Sequence, residues 1–275
     1  MPSNALQFRL GDVPKAVAES MTQTLNSYCV MLLGLRPVRG DETVTFCGSG
    51  TLVSVDAGHY VVTAAHVWET LREFPTVGLT LTEYESRFGI PCDAIDPVVI
   101  HGKRSAQWGP DMAFLRLPAP SLGRIKAHKT FFNLSSRRAV MLDTSPDLEV
   151  GVWAVVGVPA ELSILGRQKV ELHGGAFFSA IDATHRRGKF DYLDLAIDLS
   201  GRSASPSSCE GLSGGGLWHL PMARQVTDRG HKWQWRHVLE GVAFYQTDVQ
   251  MALRHVRCHG RASLYGAGLK ELGVA

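Results

Sequence analysis

Apolar residues in this chain come in short runs broken by Gly, Pro, Asp and Ser, and only one stretch has helical spacing. A first set comprises Thr43 to Cys47, Gly50 to Val55, Tyr60 to Ala64, Val98 to Ile100 and Met112 to Leu117. A second comprises Arg138 to Leu142, Gly151 to Val158, Val170 to Leu172, Tyr192 to Leu199, Gly216 to Leu220 and His237 to Gln246. Short β-branched or apolar segments with turn residues between them favour a barrel or sandwich over alternating βα units. The exception is Val13 to Asn26, where Val13, Ala16, Val17, Met21 and Leu25 predict a helix, with Asp12 as its N-cap. Glu69 to Arg87 reads as a short helix and a loop, and the tail from Met251, with Leu264, Leu269 and Leu272, as a helix or loop.

A length of 275 residues holds one large domain or two small ones. The polar stretch Asn133 to Arg137, between the two strand sets, is the expected boundary. With 45% hydrophobic and 20% charged residues and a net charge of +2, the composition is that of an ordinary globular chain. Arg137-Arg138 and Arg186-Arg187 are too sparse for a nucleic-acid footprint, so no nucleic acid is expected as a partner. No apolar run approaches the about 18 residues of a membrane-spanning helix, and the first thirty residues lack the pattern of a secretory leader. Five cysteines (Cys29, Cys47, Cys92, Cys209, Cys258), widely spaced and without Cys-x-x-Cys, fit free thiols in a reducing cytoplasm.

Three motifs bear chemistry. Ser213 stands in Gly211-Leu212-Ser213-Gly214-Gly215, where flanking glycines permit a sharp turn and close approach of a substrate backbone. Such a turn can aim the N–H groups of Gly211 and Ser213 at one point, where they would stabilise an oxyanion. A glycine-rich hairpin with an incidental serine would show the same five residues. A serine hydroxyl needs an adjacent base, and the base an orienting group. His66, after the strand Tyr60-Val61-Val62-Thr63-Ala64, is the candidate base, though most of the 11 histidines must be surface or structural. Asp111, opening Met112-Ala113-Phe114-Leu115, is the candidate orienter; a turn or cap role is its ordinary alternative. Gly-x-Ser-x-Gly also matches the α/β-hydrolase elbow, but there the acid and histidine follow the serine, and here they precede it.

Thr63-Ala64-Ala65-His66, Asp111-Met112-Ala113-Phe114-Leu115 and Gly211-Leu212-Ser213-Gly214-Gly215 together resemble the motifs of the trypsin/chymotrypsin-like serine peptidases. Their spacings, 45 and 102 residues (111 − 66 and 213 − 111), suit that family, and the likeness runs over about residues 29 to 250. The resemblance implies an all-β fold of two antiparallel six-stranded barrels with the active site between them. The expected organisation is an N-terminal helical extension (1–28), a first barrel with His66 and Asp111 (29–135), a second with Ser213 (136–250) and a C-terminal tail (251–275). It also implies that Leu239 to Tyr245 is the strand that pairs with bound peptide, so that Phe244, Tyr245 and Gln246 meet substrate. Ser207, six before the nucleophile, stands where the family has the base of its specificity pocket. It is not an acid, so cleavage after Arg or Lys is not expected; the residue expected on the acyl side of the cut is small or apolar.

The chain departs from the family in three places. Val67 follows the histidine in place of cysteine, leaving Cys47 without its usual partner, and Cys209 also lacks one. Leu212 replaces the aspartate that pairs with a newly cut N-terminus, and no Ile-Val-Gly-Gly start exists. Activation by clipping is therefore not expected; the site is always formed, or a protein partner orders it, closer to bacterial and heat-shock-type members. His255-Val256-Arg257-Cys258-His259 lacks a second ligand pair, so no metal site and no cofactor are expected. The function expected is a cytoplasmic serine endopeptidase acting on protein or peptide. The alternatives are a catalytically silent protease-fold module that binds peptides or partner proteins, and an esterase.

Overall fold

The computed structural model describes residues 13–38, 41–82, 87–101, 106–165, 170–172, 175–198, 208–227, 230–248 and 253–274. Its first half builds one sheet from β1 (Cys29–Val38), β2 (Asp41–Val55), β3 (Gly58–Thr63), β4 (Thr76–Thr80), β5 (Arg87–Pro91), β6 (Asp96–His101), β7 (Asp111–Arg116) and β8 (Phe132–Asn133). The order is β5-β4-β1-β2-β3-β7-β6, antiparallel throughout, with β8 added in parallel to β2. Residues between strands form α2 (Ala65–Leu71) and α3 (Ala119–Lys126).

A second, seven-stranded antiparallel sheet is built from β9 (Val152–Gly157), β12 (Gly175–Ser179), β13 (Ile181–Arg187), β14 (Phe190–Asp198), β15 (Gly216–Leu220), β18 (Val238–Gln246) and β19 (Leu253–His259), in the order β12-β9-β15-β18-β19-β14-β13. Two hairpins stand apart: β10 (Ser163–Leu165) with β11 (Val170–Leu172), and β16 (Met222–Thr227) with β17 (Gly230–Trp235). The chain is thus mostly β, as its short apolar runs predicted, and its sheets are antiparallel. Among the described residues the main sheets have eight and seven strands rather than six, and no pairing joins the outer strands of either into a closed ring.

Period-2 alternation explains how such apolar strands are used. In β9, Val152, Ala154 and Val156 enter a core shared by both sheets, while Trp153 and Val155 face a second core behind. In β7, Met112 and Phe114 enter the shared core, and Ala113 and Leu115 pack with Val67, Trp68 and Leu71 of α2. Strands buried on both faces read as unbroken apolar runs, which is why both were visible in the sequence. Trp218 of β15, 1% exposed, packs near Tyr28, Phe132 and His237 at the junction.

Several expectations need correction. α1 (Lys15–Asn26) buries Met21 and Leu25 as predicted, but Pro14 occupies the cap position and Asp12 lies outside the described residues. Thr43 to Cys47 and Gly50 to Val55 are one strand, β2, in which Cys47 is left unpaired by a bulge opposite Leu32 and Leu33. Arg138 to Leu142 is a helix, α4 (Arg138–Asp143), not a strand. Only Met141 of it is buried, while Val140 is 64% exposed, so a single side faces the core. The tail contributes an inner strand, β19, before a π-helical turn (Ala262–Gly268) and α5 (Leu269–Glu271). No described helix is long and apolar enough to cross a membrane.

Candidate active site

His66 lies in the first turn of α2 and Asp111 opens β7, two elements that pack on each other. Asp111 Oδ2 stands 2.6 Å from His66 Nδ1, and Oδ1 accepts the His66 backbone N–H at 2.9 Å. One carboxylate thus holds both the ring and the backbone of the histidine. The aspartate is buried (5% exposed) while the His66 side chain is about half exposed, at 48%. Burial pushes the Asp111 carboxyl up, but the hydrogen bonds and charge of His66 outweigh it and hold the group below the usual carboxylate range. The Nδ1 bond leaves His66 Nε2 as the ring's outward nitrogen.

The Ser213 loop is bound across the junction of the two sheets. Ser49 of β2 donates its N–H to Ser213 O at 2.9 Å and its hydroxyl to Gly211 O at 2.7 Å. The same hydroxyl accepts the Val158 N–H at 2.9 Å. Thr51 Oγ1 donates to Gly214 O at 3.1 Å, and the Gly214 N–H donates to Ala243 O on β18 at 2.7 Å. Two glycines are required by this packing. Gly214, at φ +89, would put a Cβ 1.9 Å from Ser49 O; Gly211, at φ +93, would put one 2.5 Å from the Phe46 ring.

Among the described residues neither the Gly211 N–H nor the Ser213 N–H donates a hydrogen bond, although Leu212, Gly214 and Gly215 beside them all do. His66, Asp111, Gly211 and Ser213 line one cleft of about 630 Å³. No hydrogen bond joins Ser213 Oγ to His66 among the described residues; such bonds are often long before substrate arrives. Leu212 is 1% exposed and packs with Trp153, Val155 and Cys209, so an apolar anchor stands where a carboxylate would need an ion-pair partner.

The expected substrate contacts divide. Tyr245 and Gln246 line the cleft and are partly exposed. Phe244 also borders it but is 2% exposed, with its ring stacked on His259 at 4.5 Å, so its bulk belongs to the core. Ser207 lies outside the described residues. All five cysteines are free. Cys47 borders the cleft, and burial pushes its thiol up, away from the thiolate that nucleophilic attack would need.

His259 is the residue that motif reading missed. It is fully buried, and its Nε2 accepts the Asp111 backbone N–H at 3.1 Å. The ring proton must then sit on Nδ1, which is buried with no partner among the described residues. Burial pushes His259 down to about 4, because the charged ring would lose its hydration there, against the opposing pull of the Asp111 and Asp191 carboxylates. His255 instead bonds Asp182 at 3.0 Å and Cys258 is buried in the core, so the 255–259 run is spent on separate tasks. Arg257 between them forks onto Asp194 (2.8 and 2.7 Å) and donates to Gln107 O at 3.0 Å, tying the second sheet to the segment leading into Asp111.

His259 gives a pH prediction. The unfolded chain takes up this proton below about 6.5, the folded protein only near 4. Stability from this group is complete above the first value and is lost as pH falls toward the second, by on the order of 3 kcal/mol. His59 and His237, also lowered by burial, add losses of the same sign. Urea unfolding from pH 7 to 4 should therefore flatten in part in His259→Gln, which keeps an acceptor and cannot titrate. An unchanged slope would assign the whole loss elsewhere.

No family model matches this chain, and no curated protein matches it. Among solved structures it is similar to a chain from work described as "Aromatic interactions drive the coupled folding and binding of the intrinsically disordered Sesbania mosaic virus VPg protein". The identity is 12%, the TM-score 0.42, and the match covers 88% of this chain and 95% of that one. A likeness of that size carries no argument about function.

Proposed function

We propose that this chain is a serine endopeptidase of the trypsin/chymotrypsin type, in which the eight- and seven-stranded sheets are the counterparts of that family's two barrels. The observation that carries the reading is the 2.6 Å contact of His66 Nδ1 with buried Asp111, at a cleft that Ser213 also lines. Ser213 Oγ attacks a peptide carbonyl while His66 Nε2 takes its proton, and Asp111 stabilises the imidazolium that results. The N–H groups of Gly211 and Ser213 receive the oxyanion. Collapse breaks the C–N bond, His66 returns the proton to the leaving amine, and water repeats the sequence on the acyl-enzyme. The Leu212 anchor and the Ser49 hydrogen bonds support a site that forms without clipping of the chain. Five free thiols fit work in the cytoplasm on protein or peptide substrates.

A fluorophosphonate probe is expected to label Ser213 in the folded protein and to fail on His66→Ala. The missing Ser213–His66 hydrogen bond favours a second reading, a silent peptide-binding module. Absent labelling of folded wild type, with a peptide still bound in the cleft, would establish that one instead.

A further inference from the structure

One end of the cleft is walled by a glutamine whose orientation an arginine dictates. Gln246, the last residue of β18, accepts on Oε1 from the Cys209 N–H at 3.1 Å and from Arg254 Nη1 at 2.8 Å. Two donors on that oxygen leave the amide no choice of flip. Its Nε2 group makes no bond among the described residues, so its hydrogens remain for whatever fills the cleft.

Arg254 itself is under-used. Its Nη1 also reaches Ser208 Oγ, at 3.4 Å, while its Nε is buried with no partner among the described residues. Among the described residues no carboxylate lies within ion-pair distance of it. Glu161 holds the Ser208 N–H at 3.1 Å and so borders the same corner. Burial pushes the Cys209 thiol up to about 11; of the two charges acting on it, Arg254 lowers it more than Glu161 raises it. A guanidinium cannot shed its proton, so a partly buried one with no counter-ion among the described residues is stabilised by a carboxylate brought near it. A small or apolar side chain would leave these donors unpaired and drive away their water.

We propose that the pocket lined by Gln246 takes an acidic side chain, with Gln246 Nε2 receiving its carboxylate and the Arg254 guanidinium, behind Gln246, holding that amide in place and supplying the positive charge, so that cleavage follows Glu or Asp. This rests on the endopeptidase reading and on Gln246 facing the acyl-side residue. It replaces the small or apolar residue that the sequence suggested.

The test is a panel of otherwise identical peptides with Glu, Asp, Gln, Leu or Lys before the cut. The better of Glu and Asp should exceed Gln, Leu and Lys by about tenfold or more in kcat/KM, because loss of a matched polar partner is heavily penalised. Arg254→Gln should erase the preference for Glu over Gln. Arg254→Lys, which keeps the charge but not the fork, should retain part of it, and serves if the first variant does not fold. Equal or faster cleavage after Leu or Lys, with Ser213 labelled by the fluorophosphonate, would overturn the proposal and leave the peptidase reading intact. If no peptide is cut and no label is taken up, the peptidase reading fails, and product-like peptides ending in the same five residues decide the pocket. Tighter binding of the Glu or Asp peptide by about tenfold supports it; equal binding in fluorescence anisotropy overturns it.

Discussion

Ser213→Ala is expected to lower kcat/KM for peptide cleavage by a factor on the order of 10⁶, because the remaining groups have no nucleophile to activate. Ser213 Oγ makes no hydrogen bond among the described residues, and its loop is held by backbone atoms and by Ser49, Thr51 and Leu212. The variant should therefore unfold in urea within about 0.5 kcal/mol of wild type, as surface substitutions usually do. Residual cleavage within tenfold of wild type would move the chemistry to another residue. The Cys47 thiol is a poor candidate, since burial keeps it protonated.

Asp111→Asn should cost about 10⁴ in kcat. Asp111 accepts two donors from His66, one from Nδ1 and one from the backbone. An asparagine has one acceptor oxygen and one amide, and with the oxygen on the backbone N–H its NH₂ faces Nδ1. His66 then protonates at Nε2, so the nitrogen needed as base is already occupied. Steady-state kinetics with fluorophosphonate labelling rates would check this, and both should fall together. A fall below tenfold would remove Asp111 from the orienting role.

The site and the fold were legible to different depths. His66, Asp111 and Ser213 could be read because each sits in a local pattern that the backbone enforces: a strand end before a helix, a strand start, a turn between glycines. Gly214 is required by Ser49 O at 1.9 Å from its would-be Cβ, a contact with a residue distant in sequence, yet the glycine itself is visible in the chain. Strands buried on both faces, such as β7 and β9, were visible as apolar runs. Arg138 to Leu142 looked alike and is a helix, because a short apolar run carries no period and only Met141 meets the core.

β19 was hidden for the opposite reason. Its charged and titratable residues suggested a tail, but two of them meet partners far along the chain: Arg257 meets Asp194, and His259 the Asp111 N–H. By itself the sequence determined the mostly β character and marked the three candidate site residues and their order, because these depend on local patterning. Only the tertiary structure decided the strand number of each sheet, the support of Asp111 by His259 and the arginine bonded to Gln246. Those depend on which distant side chains become neighbours once the two sheets share a core, and no local period in the chain records that.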